Sequence, residues 1–193
     1  MTQTTARPPG RPRSERAEKA ILEATLDLLG EESGVAGVSI EAVAARAGVG
    51  KTTIYRRWAN KEALIVSALA YGKDPLPEPP GHSARADLLE LVRALAAGRN
   101  GPHGRCFHNV VGGAEKFPAL YERYQHDVIE PRRELMRGVL RRWVERGEFR
   151  PDLDLDVVVT LLVGAATLKT AEEVLPADWP EQVVATLLHG IAL

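Results

Sequence analysis

Apolar residues return at helical spacing along nearly the whole chain. Ala17, Ile21, Ala24 and Leu28 stand 4, 3 and 4 residues apart, and Gly30 and Gly34 follow. That spacing keeps one face of a helix apolar, Ser14 can cap its start, and the glycines end it. Ser39 can cap a second helix with Val43 and Ala47 on one side and Glu41 in the first turn, stopped by Gly48. Three residues of turn lead to a third helix at about 51 to 58, and Asn60 can cap a fourth carrying Leu64, Ala68 and Tyr71.

The stretch GKDPLPEPPG, residues 72 to 81, holds four prolines and two glycines and cannot continue a helix. It reads as a connection. Beyond it, helices are expected at about 83 to 97, 105 to 115, 118 to 146, 154 to 173 and 180 to 192, divided by GRNGPHG and GEFRPDLD. In the long segment from Phe117 to Glu148, about 45 Å if fully helical, Pro131 should impose a kink that helps to open a cavity. No segment reads as a strand. The pattern predicts an all-α chain in three parts: a flexible basic arm at 1 to 13, a small helical domain at 14 to 72 and a larger helical domain at 73 to 193.

Of the 193 residues, 45% are apolar, enough for packed cores. The lone cysteine, Cys106, excludes an internal disulfide, and no apolar stretch is long enough for a spanning helix or a leader, so a soluble, cytoplasmic protein without membrane contact is expected. Net charge is −1, but it is unevenly placed. Residues 1 to 73 carry 11 Lys and Arg against 8 Asp and Glu, and within 38 to 61 Arg46, Lys51, Arg56, Arg57 and Lys61 face Glu41 alone. That is an anion-binding footprint.

The run GVGKTTIYRRWANK, residues 48 to 61, poses the choice between two phosphates. A nucleotide-binding P-loop wants a glycine five residues before Gly50 and a strand ahead of it, yet Ala45 occupies that position and Ser39 to Ala47 is helix-forming. Two short helices joined at Gly48 instead form a helix-turn-helix, whose second helix enters a major groove. On that helix Ile54 and Trp58 share one side, while Thr52, Thr53 and Arg56 cluster opposite. Arg56 can bond guanine O6 and N7, Thr52 and Thr53 can touch a thymine methyl or a phosphate, and Lys51 can neutralise a phosphate. Tyr55 can lend its ring to the core and its hydroxyl to the sugar-phosphate chain. Arg57 flanks the same face, and Ser39 and Lys61 open neighbouring helices where phosphates are favourably met. Arg11 and Arg13, in PGRPR, are candidates for a minor groove.

The stretch VSIEAVAARAGVGKTTIYRRWANKEAL, 38 to 64, resembles the DNA-binding segment of the TetR (tetracycline-repressor-like) family of bacterial regulators. The resemblance lies in Ala47 to Val49, Thr53 to Tyr55, Trp58 and Asn60 to Leu64; Ile40 and Glu41 depart from members with polar or basic contacts there. It implies a backbone contact at Ser39, DNA contacts at Lys51, Thr52, Thr53, Tyr55 and Arg56 on the recognition helix, and a phosphate clamp at Lys61. More loosely, PRRELMRGVLRRWVERGEFRPDLDLDVVVTLLVG, 131 to 164, looks like one of the family's effector-domain types, which implies an all-helical domain that makes the dimer and encloses a ligand cavity.

Leu95, Phe107, Val111, Tyr121, Tyr124 and Trp143 are candidate pocket residues, because ligand sites are mostly apolar. The helix at 154 to 173 is apolar almost all round, and the last helix adds Val184, Leu187, Leu188 and Ile191; with Gly164 and Ala165 allowing close approach, these are candidates for a symmetric dimer seam. His103, Cys106 and His108 lack the further ligands of a closed zinc site, so neither metal nor cofactor is expected. The expected function is a homodimeric, non-enzymatic transcriptional repressor on a palindromic double-stranded operator, released by a small-molecule effector. Two alternatives stand beside it: a helical nucleotide-binding enzyme using Lys51, and a DNA-binding regulator whose second domain binds a protein and no small molecule.

Overall fold

The computed structural model describes residues 11–31, 33–167 and 176–191, the side chains of 11–13, 99 and 100 excepted. Every regular element among them is helical: α1 (Arg11–Gly30), α2 (Gly34–Gly37), α3 (Ile40–Ala47), α4 (Lys51–Tyr55), α5 (Lys61–Tyr71), α6 (Ala84–Asn100), α7 (Gly104–Gly112), α8 (Pro118–Tyr124), α9 (Glu130–Glu145), α10 (Leu155–Thr167) and α11 (Trp179–Ile191).

Capping side chains set the starts of α3, α5, α6 and α10. Ser39 accepts from the Ala42 amide at 3.1 Å, Asn60 from Ala63 at 2.8 Å and Ser83 from Ala86 at 3.1 Å. Asp154 Oδ1 accepts from the amides of Asp156 and Val157 ahead of α10. The expectation at Ser14 fails. Helix α1 already begins at Arg11, so Ser14 lies inside its first turns and its hydroxyl accepts from Arg57 instead. The short α2 was not expected either, since Gly30 and Gly34 read as the end of the first helix. Pro131 is exposed near the start of α9, and the irregularity falls just before it, as a π-helical turn at Gln125–Ile129 where the Glu130 amide bonds Gln125 O. A widened turn is one way a helix accommodates a proline that has no amide to give and crowds the preceding carbonyls.

Two apolar cores result. The first joins Ile21, Leu26 and Leu29 of α1 with Val43, Ile54, Leu64 and Leu69, and it also takes Cys106, Val110, Leu120, Tyr124 and Val128. The second joins Leu88, Leu91 and Val92 of α6 with Met136, Leu140, Trp143, Phe149, Val159, Leu162 and Val184. Helices α7 and α8 thus follow the proline-rich connection in sequence yet complete the core that precedes it. Polar contacts seal this join. Cys106 Sγ donates to Leu26 O at 3.0 Å, and Asn109 Nδ2 donates to Leu29 O at 2.7 Å and Glu31 O at 3.0 Å. Leu29 O is one of the last four carbonyls of α1, which the helix itself leaves unsatisfied.

Candidate nucleic-acid interface

Helices α3 and α4 meet at a turn that one residue makes possible. Gly48 has φ 64°, a left-handed conformation, and its amide bonds Ala44 O and Ala45 O. A Cβ built there meets no atom within 4 Å, so glycine is required by conformation and not by space. The chain ahead of the turn is helix α3, which removes the strand that a P-loop needs.

Helix α4 is shorter than expected, ending at Tyr55 instead of 58, although the amides of Arg57 and Trp58 still bond Ile54 O. Its inside and outside separate as the spacing implied. Ile54 and Trp58 are buried, Lys51, Thr52 and Arg56 are exposed, and Thr53 is half-buried. Two candidates behave differently. Tyr55 is 54% exposed and takes no part in the first core, so its ring does not enter it. Arg57 is turned inward: its guanidinium donates to Thr53 O at 3.0 Å, Ser14 O at 3.0 Å and Ser14 Oγ at 2.7 Å, and stands 3.6 Å from Glu18. Its side chain is only 13% exposed, which makes it a strut between recognition helix and α1 in place of the expected flanking contact.

Lys51 is held by Glu41 at 2.8 Å, an ion pair across the turn. The pairing lowers the Glu41 carboxyl pKa and raises that of Lys51, chiefly through the shared hydrogen bond. Both side chains are exposed, so the pair is weak and a phosphate can displace Glu41. Arg46 is bridged to Glu31 at 2.6 Å, whereas Arg56 engages no acidic partner among the described residues. Lys61 is half-buried at the first position of α5, and Ser39 spends its oxygen on the cap while keeping a hydroxyl proton to donate. The side chains of Arg11 and Arg13, and the arm before them, lie outside the described residues.

Residues 21–68 match the family model described as bacterial regulatory proteins, tetR family, and residues 78–187 match that of the tetracyclin repressor-like C-terminal domain. The chain belongs to the TetR family. It is 36% identical over 156 residues to the uncharacterized HTH-type transcriptional regulator YdeS of Bacillus subtilis, covering 80% of this chain and 78% of that protein. It is 29% identical over 150 residues to the DNA-binding transcriptional repressor TetR of Mycobacteroides abscessus, covering 76% and 77%. The crystal structure of the TetR family transcription regulator SCO0332 superposes with a TM-score of 0.70 at 32% identity, covering 92% of this chain and all of that one. This TetR-family chain is accordingly a DNA-binding transcriptional regulator, and TetR-family regulators act as dimers. No described helix is long and apolar enough to cross a membrane.

The candidate pocket residues of this TetR-family chain do not converge on one cavity. Tyr124 is buried in the first core with Phe107 and Tyr121 packed against it, Leu95 packs on the second core, and Val111 is exposed. Trp143 is wholly inside the second core, its indole N–H donating to Asp87 Oδ2 at 2.9 Å. Helical spacing marks an apolar side but not the core that receives it, which is why the set divides. Asp87, which sequence reasoning missed, is buried and also accepts from Arg142 at 2.9 Å and from the Gly81 amide at 3.2 Å, tying the proline-rich connection to α6 and α9. A groove of about 400 Å³ opens elsewhere, between the end of α1 and the α6–α7 turn, lined in part by Asp27, Gly30, His103 and Arg105.

The dimer candidates also divide. Val184 and Ile191 are interior, packed in the second core of their own chain, and so cannot form a seam. Leu187 and Leu188 are half-buried against the same core, and Gly164 and Ala165 are half-buried on α10. The outward stripe that sequence reasoning missed is Val157 at 54% and Leu161 at 57% exposure, which continues at helical spacing into Gly164 and Ala165. The only sequence signal for it was the unbroken apolar run of α10, which a buried helix would show equally.

Proposed function

We propose that the protein is a homodimeric repressor that holds a palindromic operator in the cytoplasm and releases it when a small organic molecule occupies its effector half. One observation carries the DNA side of this reading. Behind a left-handed Gly48, the recognition helix buries Ile54 and Trp58 and turns Thr52, Tyr55 and Arg56 outward as a hydroxyl and guanidinium face. Arg56 is suited to a guanine, Thr52 and Thr53 to a thymine methyl or phosphate, and Lys51, Ser39 and Lys61 to the backbone.

Symmetry follows from the stripe of Val157, Leu161, Gly164 and Ala165, whose small residues let a second copy of α10 come close. Two recognition helices must then stand about 34 to 36 Å apart. An effector releases DNA only if it binds better to a dimer whose heads are wrongly spaced. The grip of Cys106 and Asn109 on the end of α1 supplies a route, because any shift of α7 must move α1 or break these hydrogen bonds.

Selection of bound sequences from a random DNA library with the full chain tests the reading. A two-fold palindrome with half-sites about one helical turn apart is expected. Enrichment of an unsymmetrical site, or of none, sinks it.

A further inference from the structure

The proline-rich connection is fastened along its length, and the fastenings are arginines. Residues 74 to 80 lie in no helix or strand, and Pro75, Pro77, Pro79 and Pro80 have no amide to donate, so the segment bonds chiefly through its carbonyls. Helix α9 supplies the donors. Arg132 donates to Asp74 O at 2.7 Å, Arg142 to Pro79 O at 2.9 Å and Arg146 to Gly81 O at 2.7 Å. The Gly81 amide donates in turn to the buried Asp87 at 3.2 Å, and that carboxylate also accepts from Arg142 and Trp143, each at 2.9 Å. Leu76 is sunk in the second core and Pro79 is buried. Gly81 is needed at the far end, because its φ is 78° and a Cβ there would stand 3.2 Å from Arg142 Cζ.

These fastenings span a weak point. The chain passes between the two cores at the connection itself, at the α6–α7 turn and through the π-helical turn Gln125–Ile129 that leads from α8 into α9. Val128 of that turn belongs to the first core, whereas Met136 and Val139 of α9 belong to the second. A π-helical turn is a place where a helix bends. Arg132 stands just past it, and Arg142 and Arg146 stand about 15 and 21 Å further along α9. The connection, joined to α5 at its start, is therefore pinned to the very helix that would swing if this turn bent.

We infer that Arg132, Arg142 and Arg146 are positioning residues for DNA binding: by holding 72 to 81 against α9 they brace the π-helical turn and fix the angle between the DNA-binding head and the second core. The inference rests on the two-fold reading proposed above. In that reading the seam lies on α10, which α9 grips through Arg137 on Asp156 and Arg133 on Thr160, both at 2.8 Å. The path from seam to head runs through α10, α9, the pinned connection and α5, and its stiffness sets how far apart two recognition helices stand. A connection that only covered the core would add stability without fixing that distance.

Gel-shift of the full chain on the selected palindrome, and on versions with one base pair added to or removed from its centre, tests this. One base pair moves a half-site by about 3.4 Å and turns it by about 35°, so the parent should prefer the selected spacing at least about tenfold. The double variant Arg132→Gln, Arg146→Gln leaves Arg142 paired with Asp87, and it should cut that preference about threefold or more. The slope of log affinity against log salt should not change, because no phosphate contact is lost. Thermal melting establishes that the variant is folded. Should it not be, Arg146→Gln alone, which alters an exposed side chain, carries the test with a loss of preference of about twofold or more. An unchanged spacing preference in the folded variant overturns the inference, and so does an equal loss of affinity on every spacing, which lowered stability alone would give. A parent that binds no palindrome, or binds every spacing equally, overturns the two-fold reading and the brace together; a discriminating parent with an equally discriminating variant removes the brace alone.

Discussion

Replacing Arg57 by Ala tests whether a charge next to the recognition helix works on DNA or on the protein. The guanidinium makes three hydrogen bonds, to Thr53 O, Ser14 O and Ser14 Oγ, and a looser pairing with Glu18 at 3.6 Å. Bonds from charged donors contribute about 1.5 to 3 kcal/mol when protected, but Ser14 and Glu18 are exposed, so about 0.5 to 1 kcal/mol for each of the three is the appropriate scale. The exposed pairing with Glu18 adds little. The sum is about 2 kcal/mol of stability, or roughly a thirtyfold shift in the folding equilibrium. Because α4 is then tethered to α1 less firmly, operator affinity should fall although no DNA contact is lost. Urea denaturation and gel-shift across a salt series distinguish the two roles. A strut leaves the slope of log affinity against log salt unchanged, whereas a phosphate contact flattens it by about 0.9. Arg57→Lys sharpens the comparison, since an ammonium keeps the charge but cannot span three acceptors as the guanidinium fork does. A shallower salt slope with an unchanged urea midpoint, rescued by lysine, would refute the strut.

Substituting Glu for both Val157 and Leu161 should leave the folded protomer intact, because both are already exposed, yet give a monomer by light scattering with loss of tight operator binding; a stable dimer with parental affinity would place the interface elsewhere. Gly48→Ala meets no atom but must hold φ near 64°, so about 1 kcal/mol of destabilisation and weaker operator binding are expected by urea melt and gel-shift; unchanged values would show that the turn relaxes without cost. Lys73 binds its proton less tightly when folded, at about 8, than at its ordinary value of 10.5, so the unfolded chain holds more protons between those values and stability should rise with pH across that window. Lys73→Met should abolish this rise in urea midpoints; an identical rise in the variant would assign it to another group.

Much of the fold could be read along the chain because its determinants are local. Ser39, Asn60 and Ser83 each precede an apolar helical pattern and each caps the helix that follows, through an amide three residues away. The left-handed turn at Gly48 and the division of Ile54 and Trp58 from Thr52 and Arg56 likewise depend on residues within one or two helical turns. The family resemblance rests on that same segment, so the DNA-binding function was legible there too. What required the tertiary structure was the destination of each side chain. Arg57 and Arg56 are adjacent and chemically identical, but only Arg57 finds Ser14, 43 residues away, and turns inward. Leu161 and Leu162 are adjacent in one apolar run, yet Leu162 is interior while Leu161 faces out, because the other elements of the second core lie on only one side of α10. Cys106 and Asn109 bind the end of α1 across about 80 positions, which is how α7 comes to complete the first core. Capping and periodicity act through neighbours within about four residues, whereas burial is decided by chain segments that meet only once the fold has closed.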